Sequence, residues 1–350
     1  MSTPTPPRGR ATMKDVAALA GAGVKTVSRV INNEPNVTPA MAKRVWDAVR
    51  ELDYQVDLQA GSLRRADGRT RTLGLLVGSV DNPFAGVIHR TVEDAAAEKG
   101  VAVFAASMDD DARRESDAVR TLLQRRVDGL ILTTAVRRPE YLGTIRDRGV
   151  PVVYVDREPE GADLDTVASS NRAGAEAGTA HLIAHGHRRI ALLADRLDLI
   201  TAHQRHSGYL DALAAAGIPV SEEIIITELT DAEAGAKALS SLLALDDPPT
   251  AVFSAQNLIT IGALHALRDA QLSHSVALVG FDDLPLADLV EPGVTVIAQD
   301  PQRIGVLAAE RIFARLEGDH SAPVRMHVPT TLIPRGTGEI APRRVSGGIR

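Results

Sequence analysis

From Leu73 onward the chain alternates short runs of β-branched and other apolar residues with segments long enough to form amphipathic helices. Runs of this kind predict buried parallel strands, and the segments between them have the length of crossover helices. The runs are LGLLV, VAVFAA, GLILTT, PVVYVD, RIALLA, TAVFSA and VALVGF. The pattern predicts a doubly wound α/β body, and ligands of such sheets bind beyond the carboxyl ends of the strands.

A helical period replaces this alternation near the N-terminus. A first helix is predicted from Met13 to Ala20, with Thr12 and Asp15 as its capping pair. A turn made only of Gly and Ala, residues 21–23, joins it to a second helix. The buried face of the first helix is predicted at Val16, Leu19 and Ala20, and that of the second at Val27, Val30 and Ile31.

The other face of the second helix carries hydroxyls, an amide and cations. These groups can meet the phosphate oxygens and base edges of DNA, and the same spacing is also compatible with an ordinary helical hairpin whose outer face is solvated. The face consists of Val24, Lys25, Thr26, Ser28, Arg29 and Asn32. A third helix is predicted to begin with Thr38 as N-cap and Pro39 at its first position. Its inner stripe is predicted at Met41, Val45, Ala48 and Leu52.

The segment from Lys14 to Tyr54 resembles the headpiece of the LacI/GalR family of bacterial transcription repressors. It matches the family's D-V-A-x-x-A-G, T-V-S-R-V-x-N and E-L-x-Y motifs, and the resemblance continues to about Pro334. It implies an all-α helix-turn-helix headpiece joined to a two-lobed α/β core like that of periplasmic binding proteins. It also implies a homodimer that binds a pseudopalindromic operator in double-stranded DNA under the control of a small-molecule effector.

The resemblance assigns the DNA contacts residue by residue. Val24 and Lys25 are expected to read bases, as a valine suits a thymine methyl and a cation suits guanine acceptors, and Arg29 reaches a third base. Phosphate contacts are expected from Thr26, Ser28 and Asn32, and Thr12 completes the set in the headpiece.

Residues 57–72 have the composition of a linker, with two Gly, several Arg and no aromatic residue. In the family this region is a hinge helix that folds on the operator and inserts a leucine into the minor groove. Leu63 matches that leucine and Ala60 the neighbouring small residue, although an ordinary linker role remains the alternative for Leu63. Val56-Asp57 departs from the family's usual Pro-Asn at the entry to the hinge.

Polar residues at the predicted strand ends match the effector positions of the family. An arginine fork and carboxylates in a closable cleft can bind vicinal hydroxyls pairwise, so a sugar or sugar derivative is the expected effector. Alternatively, Asp156 and Asp282 cap loops or helices, and Phe84 belongs to the core. The matching residues are Asn82, Phe84, Asp156, Arg205, Gln256, Asp282 and Gln299. Gln256-Asn257 replaces the family's common Asn-Asp. Because a carboxylate is lost, the identity of the effector is less readily inferred from the family.

These assignments divide the chain into a disordered lead at 1–10, a headpiece at 11–56, a hinge at 57–72, a core at 73–335 and a tail at 336–350. Within the core, lobe 1 is predicted at about 73–165 and 293–335, and lobe 2 at about 166–292. The chain is expected to return to lobe 1 with the segment TVIAQD, a helix from Pro301 to Leu316 and a final strand near His327 to Ile333. The tail has no leucine heptads, so a dimer is expected rather than a tetramer joined by a coiled coil.

Charge and composition agree with a regulator. Residues 1–72 hold 12 Lys and Arg against 7 Asp and Glu, a net of +5, whereas the remainder is net −11 and the whole chain −6. A basic head supplies the phosphate-neutralising part of DNA affinity. The chain lacks cysteine, an apolar stretch long enough to span a membrane and a signal peptide, so we expect a cytoplasmic, nucleoid-associated protein with no membrane partner.

Other classes of function have weaker support. The α/β body alone would suit a sugar-binding transport component, and a hydrolase or kinase of small metabolites is a third possibility. His181, His185 and His187 suggest a metal site, and acidic clusters at 109–111 and 282–283 suggest Mg²⁺, but no complete ligand set or phosphate-binding loop accompanies them. We therefore expect no enzyme activity, no cofactor and no metal.

Overall fold

A computed structural model describes residues 11–31, 34–55, 69–161 and 163–342. The chain divides into two compact units, residues 1–70 and 71–350. The first unit contains the headpiece and the second contains the α/β body.

The headpiece contains the three predicted helices, α1 (Met13–Ala20), α2 (Val24–Ile31) and α3 (Pro39–Glu51). At α1 the backbone N–H of Thr12 donates to the Asp15 carboxylate at 2.8 Å, and the N–H of Asp15 donates to the Thr12 hydroxyl at 3.4 Å. The Thr38 hydroxyl accepts from the N–H of Met41 at the start of α3. The predicted caps are therefore confirmed, because short polar side chains satisfy the free N–H groups of each first turn.

The headpiece core differs from the prediction at one position. Val16, Val27 and Val45 are fully buried, but Leu19 is 46% exposed and the smaller Ala17 takes the inner place. Because α1 meets both neighbouring helices along Val16, Ala17 and Ala20, Leu19 falls outside the contact face.

Arg44 also joins the helices of the headpiece, although the sequence analysis did not identify it. Its Nη2 donates to the carbonyls of Ala20 at 2.5 Å and Gly21 at 3.2 Å. These are carbonyls that the end of α1 leaves without helical partners. A Cβ at Gly21, which has a φ of +60°, would lie 2.7 Å from this guanidinium, so the turn favours glycine.

The first lobe of the body is a six-stranded parallel sheet with the order β11-β5-β4-β3-β1-β2. Its strands are β1 (Thr72–Val77), β2 (Ala102–Ser107), β3 (Gly129–Leu132), β4 (Val152–Val155), β5 (Asp165–Ser169) and β11 (Arg325–Val328). Its helices are α4 (Pro83–Glu98), α5 (Ala112–Gln124), α6 (Leu142–Asp147) and α11 (Pro301–Leu316). Helices α4 and α11 pack on one face, and α5 and α6 on the other.

The second lobe repeats this topology with the order β12-β10-β9-β8-β6-β7, except that β12 runs antiparallel to β10. Its strands are β6 (Ile190–Leu193), β7 (Ile225–Ile226), β8 (Ala251–Ser254), β9 (Ala277–Phe281), β10 (Thr295–Ala298) and β12 (Thr331–Ile333). Its helices are α7 (Asn171–Ala184), α8 (Ile200–Ala215), α9 (Ala232–Leu243) and α10 (Asn257–Asp269), with 3₁₀ turns at Glu222–Ile224 and Thr337–Glu339.

Two glycines allow the helix pairs of lobe 2 to pack closely. A Cβ at Gly208 of α8 would lie 2.1 Å from the carbonyl oxygen of Arg172 in α7. A Cβ at Gly262 of α10 would lie equally close, 2.1 Å, to the carbonyl oxygen of Ala232 in α9. Backbone meets backbone at these points, so any larger residue would separate the helices.

All seven strands predicted in the body are present, but three details were wrong. β2 is an edge strand with exposed residues rather than a buried strand, and β5 and β7 were not predicted. The segment TVIAQD forms β10, which pairs with β9 in lobe 2 instead of returning to lobe 1. An apolar parallel strand can join either sheet, and its hydrogen-bonded neighbour, rather than its sequence, decides which.

The lobe boundaries shift accordingly. β5 belongs to lobe 1, so the chain first crosses after Ser169 instead of at residue 165. It returns to lobe 1 for α11 and β11, and then crosses again to place β12 beside β10. The single final strand predicted near His327 to Ile333 is therefore two strands, one in each lobe. In the described part of the body, three connections therefore join the lobes.

Part of the predicted tail is an ordered element of lobe 2. The Thr337 hydroxyl donates to the carbonyl of Leu278 at 2.7 Å, and the Ile340 carbonyl accepts from His187 Nε2 at 2.7 Å. Residues 343–350 and the predicted lead at 1–10 lie outside the described residues. Among the helices described, none has the length and apolar character that a membrane span requires.

Candidate functional site

The predicted DNA-contact residues of the headpiece lie mainly on the outer side of α2. Val24 begins the helix and is 42% exposed, and Lys25 and Arg29 are also exposed. Thr26 and Ser28 are half-buried, and the Arg29 guanidinium lies 3.9 Å from the Glu34 carboxylate. Such a face presents a methyl-bearing side chain and two cations together at one helix surface, and these groups can contact thymine methyls and guanine acceptors in the major groove.

The remaining DNA-contact predictions fall elsewhere. Thr12 is exposed, but its hydroxyl and backbone N–H are used in the cap of α1. Asn32, Ala60 and Leu63 lie outside the described residues.

The structure brings all seven predicted effector residues of the body to one cavity between the lobes, with a volume of about 50 Å³. They are Asn82, Phe84, Asp156, Arg205, Gln256, Asp282 and Gln299. Five further residues line it that the sequence analysis missed: Arg157, Asp195, Thr201, Ala202 and Ala255. Arg157 and Asp195 carry the same signal as the others, since each closely follows the end of a parallel strand.

Asp156 and Asp282 occupy equivalent places in the two lobes. They directly follow β4 and β9, which hold the same position in the two sheet orders. Both have left-handed backbone conformations, with φ values of +63° and +75°. Their N–H groups donate to the neighbouring strands at Val167 and Ile297, both at 2.9 Å. The turn thus ends each strand and holds a carboxylate at the cavity wall.

Arg205 is held rigidly at the lobe 2 wall and is 6% exposed. Its Nε donates to Asn171 Oδ1 and its Nη1 to the carbonyl of Ala255, both at 2.8 Å. Its guanidinium stacks on Phe281, 3.9 Å from the ring centre, and lies 3.8 Å from the Asp282 carboxylate. Burial lowers the pKa of Arg205, and the carboxylates of Asp282 and Asp156 oppose this effect.

Arg157 is the corresponding cation of lobe 1. Its guanidinium pairs with Asp110 and lies 3.6 Å from the Asp156 carboxylate. Burial would lower the pKa of Arg157, but Asp110 and Asp156 outweigh burial and raise it. Burial also raises the pKa of Asp156 and of Asp195.

Three amide side chains complete the wall. Gln256 caps α10, because its Oε1 accepts from the N–H groups of Leu258 and Ile259 at 2.9 and 3.2 Å. Gln299 Nε2 donates to Asp282, and Asn82 caps α4 by accepting from the N–H of Phe84 at 3.0 Å. Phe84 both lines the cavity and packs against the lobe 1 core, so the two interpretations of this residue are compatible.

Hydrogen bonds between the lobes explain why the cavity is small. Asn257 Nδ2 donates to Asn82 Oδ1 at 2.8 Å, and Asn82 Nδ2 donates back at 3.4 Å. The Arg196 guanidinium donates to the Asp110 carbonyl at 3.3 Å, and Arg137 Nε donates to the Asp198 carbonyl at 3.3 Å. Asn257, which replaces the family's usual aspartate, therefore forms a neutral amide pair with Asn82 across the cleft. A ligand the size of a sugar must break these contacts between the lobes to enter.

A larger groove of about 850 Å³ runs along lobe 1 beside Leu142, Pro151 and Pro323, but it contains none of the predicted effector residues. It is open to solvent, and Arg315, on its wall, already pairs with Asp165. Buried charges converge on the smaller cavity instead, so convergence of polar groups rather than volume identifies the site.

The histidines considered as metal ligands are engaged in separate hydrogen bonds. His181 Nε2 pairs with Glu339, His185 Nδ1 contacts the carbonyl of His181 at 2.8 Å, and His187 bridges Thr250 and Ile340. Across residues 11–31, 34–55, 69–161 and 163–342, no His, Cys, Asp and Glu side chains are grouped for a metal ion. Of the acidic clusters, Asp111 caps α5 and Asp283 pairs with Arg335.

Comparisons with known proteins cover both units of the chain. The profile for "bacterial regulatory proteins, lacI family" matches residues 12–57, and that for "periplasmic binding proteins and sugar binding domain of LacI family" matches residues 70–335. The chain is 33% identical to the ribose operon repressor of Escherichia coli strain K12 over 330 residues, which is 93% of this chain and 99% of that protein.

Two solved structures extend the match. A complex of the transcriptional regulator CelR with cellobiose is 32% identical, with a TM-score of 0.70 over 94% of this chain and 100% of that one. The Lac repressor dimer bound to operator and the anti-inducer ONPF is 26% identical, with a TM-score of 0.83 over 94% of this chain and 99% of that one. The chain belongs to the LacI family of bacterial regulatory proteins.

Proposed function

We propose that this protein is a transcriptional repressor, not an enzyme, that binds a pseudopalindromic operator as a homodimer and responds to a sugar effector in the interlobe cavity. One observation carries the proposal: a single chain combines a helix-turn-helix headpiece with a cavity lined by every predicted effector residue. A sugar-binding transport component, the main alternative, has no use for the headpiece. We place the protein in the cytoplasm, at the nucleoid.

In the headpiece, Val24 and Lys25 read bases, assisted by Arg29 from the next turn of α2. Thr12, Thr26, Ser28 and Asn32 hold phosphates, and these contacts set the orientation of the helix without specifying sequence. In the hinge, Leu63 inserts into the minor groove, and Ala60 is the small residue beside it at the DNA. Each half of the operator receives one headpiece of the dimer.

A second copy of the chain is the partner that the body surface favours. Among the described strands, β2 lies at the edge of its sheet, and such edges are normally covered. Large apolar side chains are exposed on both lobes: Val80, Val87 and Phe104 on lobe 1, and Leu286, Leu289 and Val290 on lobe 2. Covering these residues in a homodimer would remove apolar surface from water.

In the cavity, Arg205 and Asp282 from lobe 2 and Asp156 and Arg157 from lobe 1 hydrogen-bond the hydroxyls of the sugar. The sugar binds the two relative positions of the lobes with different affinity, and this difference shifts the dimer between states of high and low operator affinity.

Removing the headpiece separates the repressor from the transport alternative. A chain starting at residue 57 should lose protection of its own promoter in footprinting, because α2 is absent, yet retain sugar binding in calorimetry. Full-length protein should protect an inverted repeat. Equal protection by both forms would contradict the assignment of DNA contact to α2.

A further inference from the structure

The charges around the cavity do not balance. Three carboxylates line it, those of Asp156, Asp195 and Asp282, against the two guanidinium groups of Arg157 and Arg205. Asp110 and Arg196 stand behind this wall and add one charge of each sign. With all of these groups ionised, the buried site therefore has a formal excess of one negative charge.

The pairings identify which carboxylate is in excess. Asp282 lies 3.8 Å from Arg205, and Arg157 serves both Asp110 and Asp156. Asp195 is 7% exposed, and its carboxylate accepts a hydrogen bond from the backbone N–H of Arg196 at 2.7 Å. The Arg196 side chain points elsewhere, to the Asp198 carboxylate at 3.4 Å and the Asp110 carbonyl at 3.3 Å.

Two buried atoms of the wall also lack partners. Within the described part of the chain, neither Arg157 Nε nor Gln299 Oε1 has a hydrogen-bond partner. The first is a donor and the second an acceptor, and a hydroxyl group can satisfy either. The cavity thus offers carboxylate oxygens, one donor that is ion-paired with Asp156 but makes no hydrogen bond, and one acceptor without a hydrogen-bond partner, a set that suits an uncharged polyol.

We propose that Asp195 is a charge selector, which admits uncharged polyhydroxylated sugars to the cavity and excludes their phosphate esters. This inference rests on the proposed sugar effector and defines its chemical class. Hydroxyls donate to the Asp195 carboxylate, whereas a phosphate would face an uncompensated negative charge in a buried site, where water screens it poorly. Binding a phosphate ester would require an additional cation, because carboxylates already offset the positive charges of both arginines of the cavity wall.

The test compares Asp195→Asn with Asp198→Asn, a matched change of one charge in the same loop on a side chain that is 67% exposed. Calorimetry would measure binding of D-ribose, D-ribose 5-phosphate and inorganic phosphate to each full-length protein. We expect wild type to bind ribose at least about tenfold more tightly than its phosphate ester, because like-charge contact is costly. Asp195→Asn should reduce this ratio at least about tenfold, and Asp198→Asn should leave it unchanged.

Equal wild-type affinity for the two sugars, or an unchanged ratio in Asp195→Asn, would overturn the charge selector. The use of a ratio removes any contribution from a lost hydroxyl contact. If neither sugar binds wild type, ribose is excluded as the effector, and inorganic phosphate still decides the role of Asp195. Phosphate binding gained by Asp195→Asn alone would support the selector, and no gain would refute it.

Discussion

The headpiece and the body hold their functional groups in opposite ways. The N-terminal region, residues 1–72, is net basic, and its headpiece presents Val24, Lys25 and Arg29 on the exposed surface of one short helix. The body is acidic and buries Arg205 and Asp282 in a cavity built from many strand ends. Exposed cations give an affinity that falls steeply with salt, whereas buried paired groups depend on geometry and desolvation. The two functions should therefore be separable by single substitutions.

The largest effect is expected from Arg205→Ala in the body. The substitution leaves Asp282 buried without its cation and removes the bond to the Ala255 carbonyl. Loss of a buried charged partner should weaken sugar binding at least about 100-fold in calorimetry. Operator affinity measured without sugar should change less than about threefold, because the headpiece is untouched.

Arg268→Ala, on the exposed surface of α10, is the matched control and should alter neither affinity. If Arg205→Ala lost as much operator affinity without sugar as it loses sugar affinity, the functions of the headpiece and the body would not be separable.

Lys25→Ala should have the converse effect. Removing a contact to a base edge should weaken operator binding about tenfold or more while sugar affinity stays unchanged. Fluorescence anisotropy with operator DNA at fixed salt would measure it. Lys237→Ala removes the same charge from an exposed position on the body. An equal loss of operator affinity in this control would show that net charge causes the effect, and it would contradict the role of α2.

The smallest expected effect is on the pH dependence of the stability of the body. Burial raises the folded-state pKa of Asp195, so its ionised form destabilises the folded protein above the ordinary aspartate pKa. This destabilisation decreases as the pH falls through the raised pKa of Asp195, because the carboxylate becomes protonated. Arg157, Asp110 and Arg196 are the charged groups that act on this carboxylate.

Asp195→Asn should consequently melt at a higher temperature than wild type at pH 7, and the difference should narrow as the pH is lowered to about 4.5. Thermal denaturation across this range measures it. A difference that stays constant or widens toward acid would argue against a destabilising buried carboxylate.

Local patterns predicted much of this structure. The caps at Thr12 and Thr38 followed from residue type and spacing, because each acts within a few residues of itself. Asp156 and Asp282 were assigned by their match to the family, and their places at the ends of predicted strands agreed with that assignment. Asp195 carried the same strand-end signal and was overlooked.

Features that depend on distant partners were not predictable from those patterns. The pairing of Arg157 with Asp110 joins two separate loops, and the Asn82–Asn257 bridge joins two lobes. The lobe to which β10 belongs is decided by its pairing with β9. Leu19 obeys the helical period and is still half exposed, because the neighbouring helices contact a narrower face of α1 than the period alone suggests.

The most direct test of the account measures the coupling between the headpiece and the cavity. Operator affinity would be determined with and without saturating sugar, and sugar affinity with and without operator. Linkage requires both to change by the same factor, about 5- to 150-fold for a typical allosteric protein, and Arg205→Ala should abolish the change. A sugar that binds the cavity with the same affinity in free and operator-bound protein would contradict effector control.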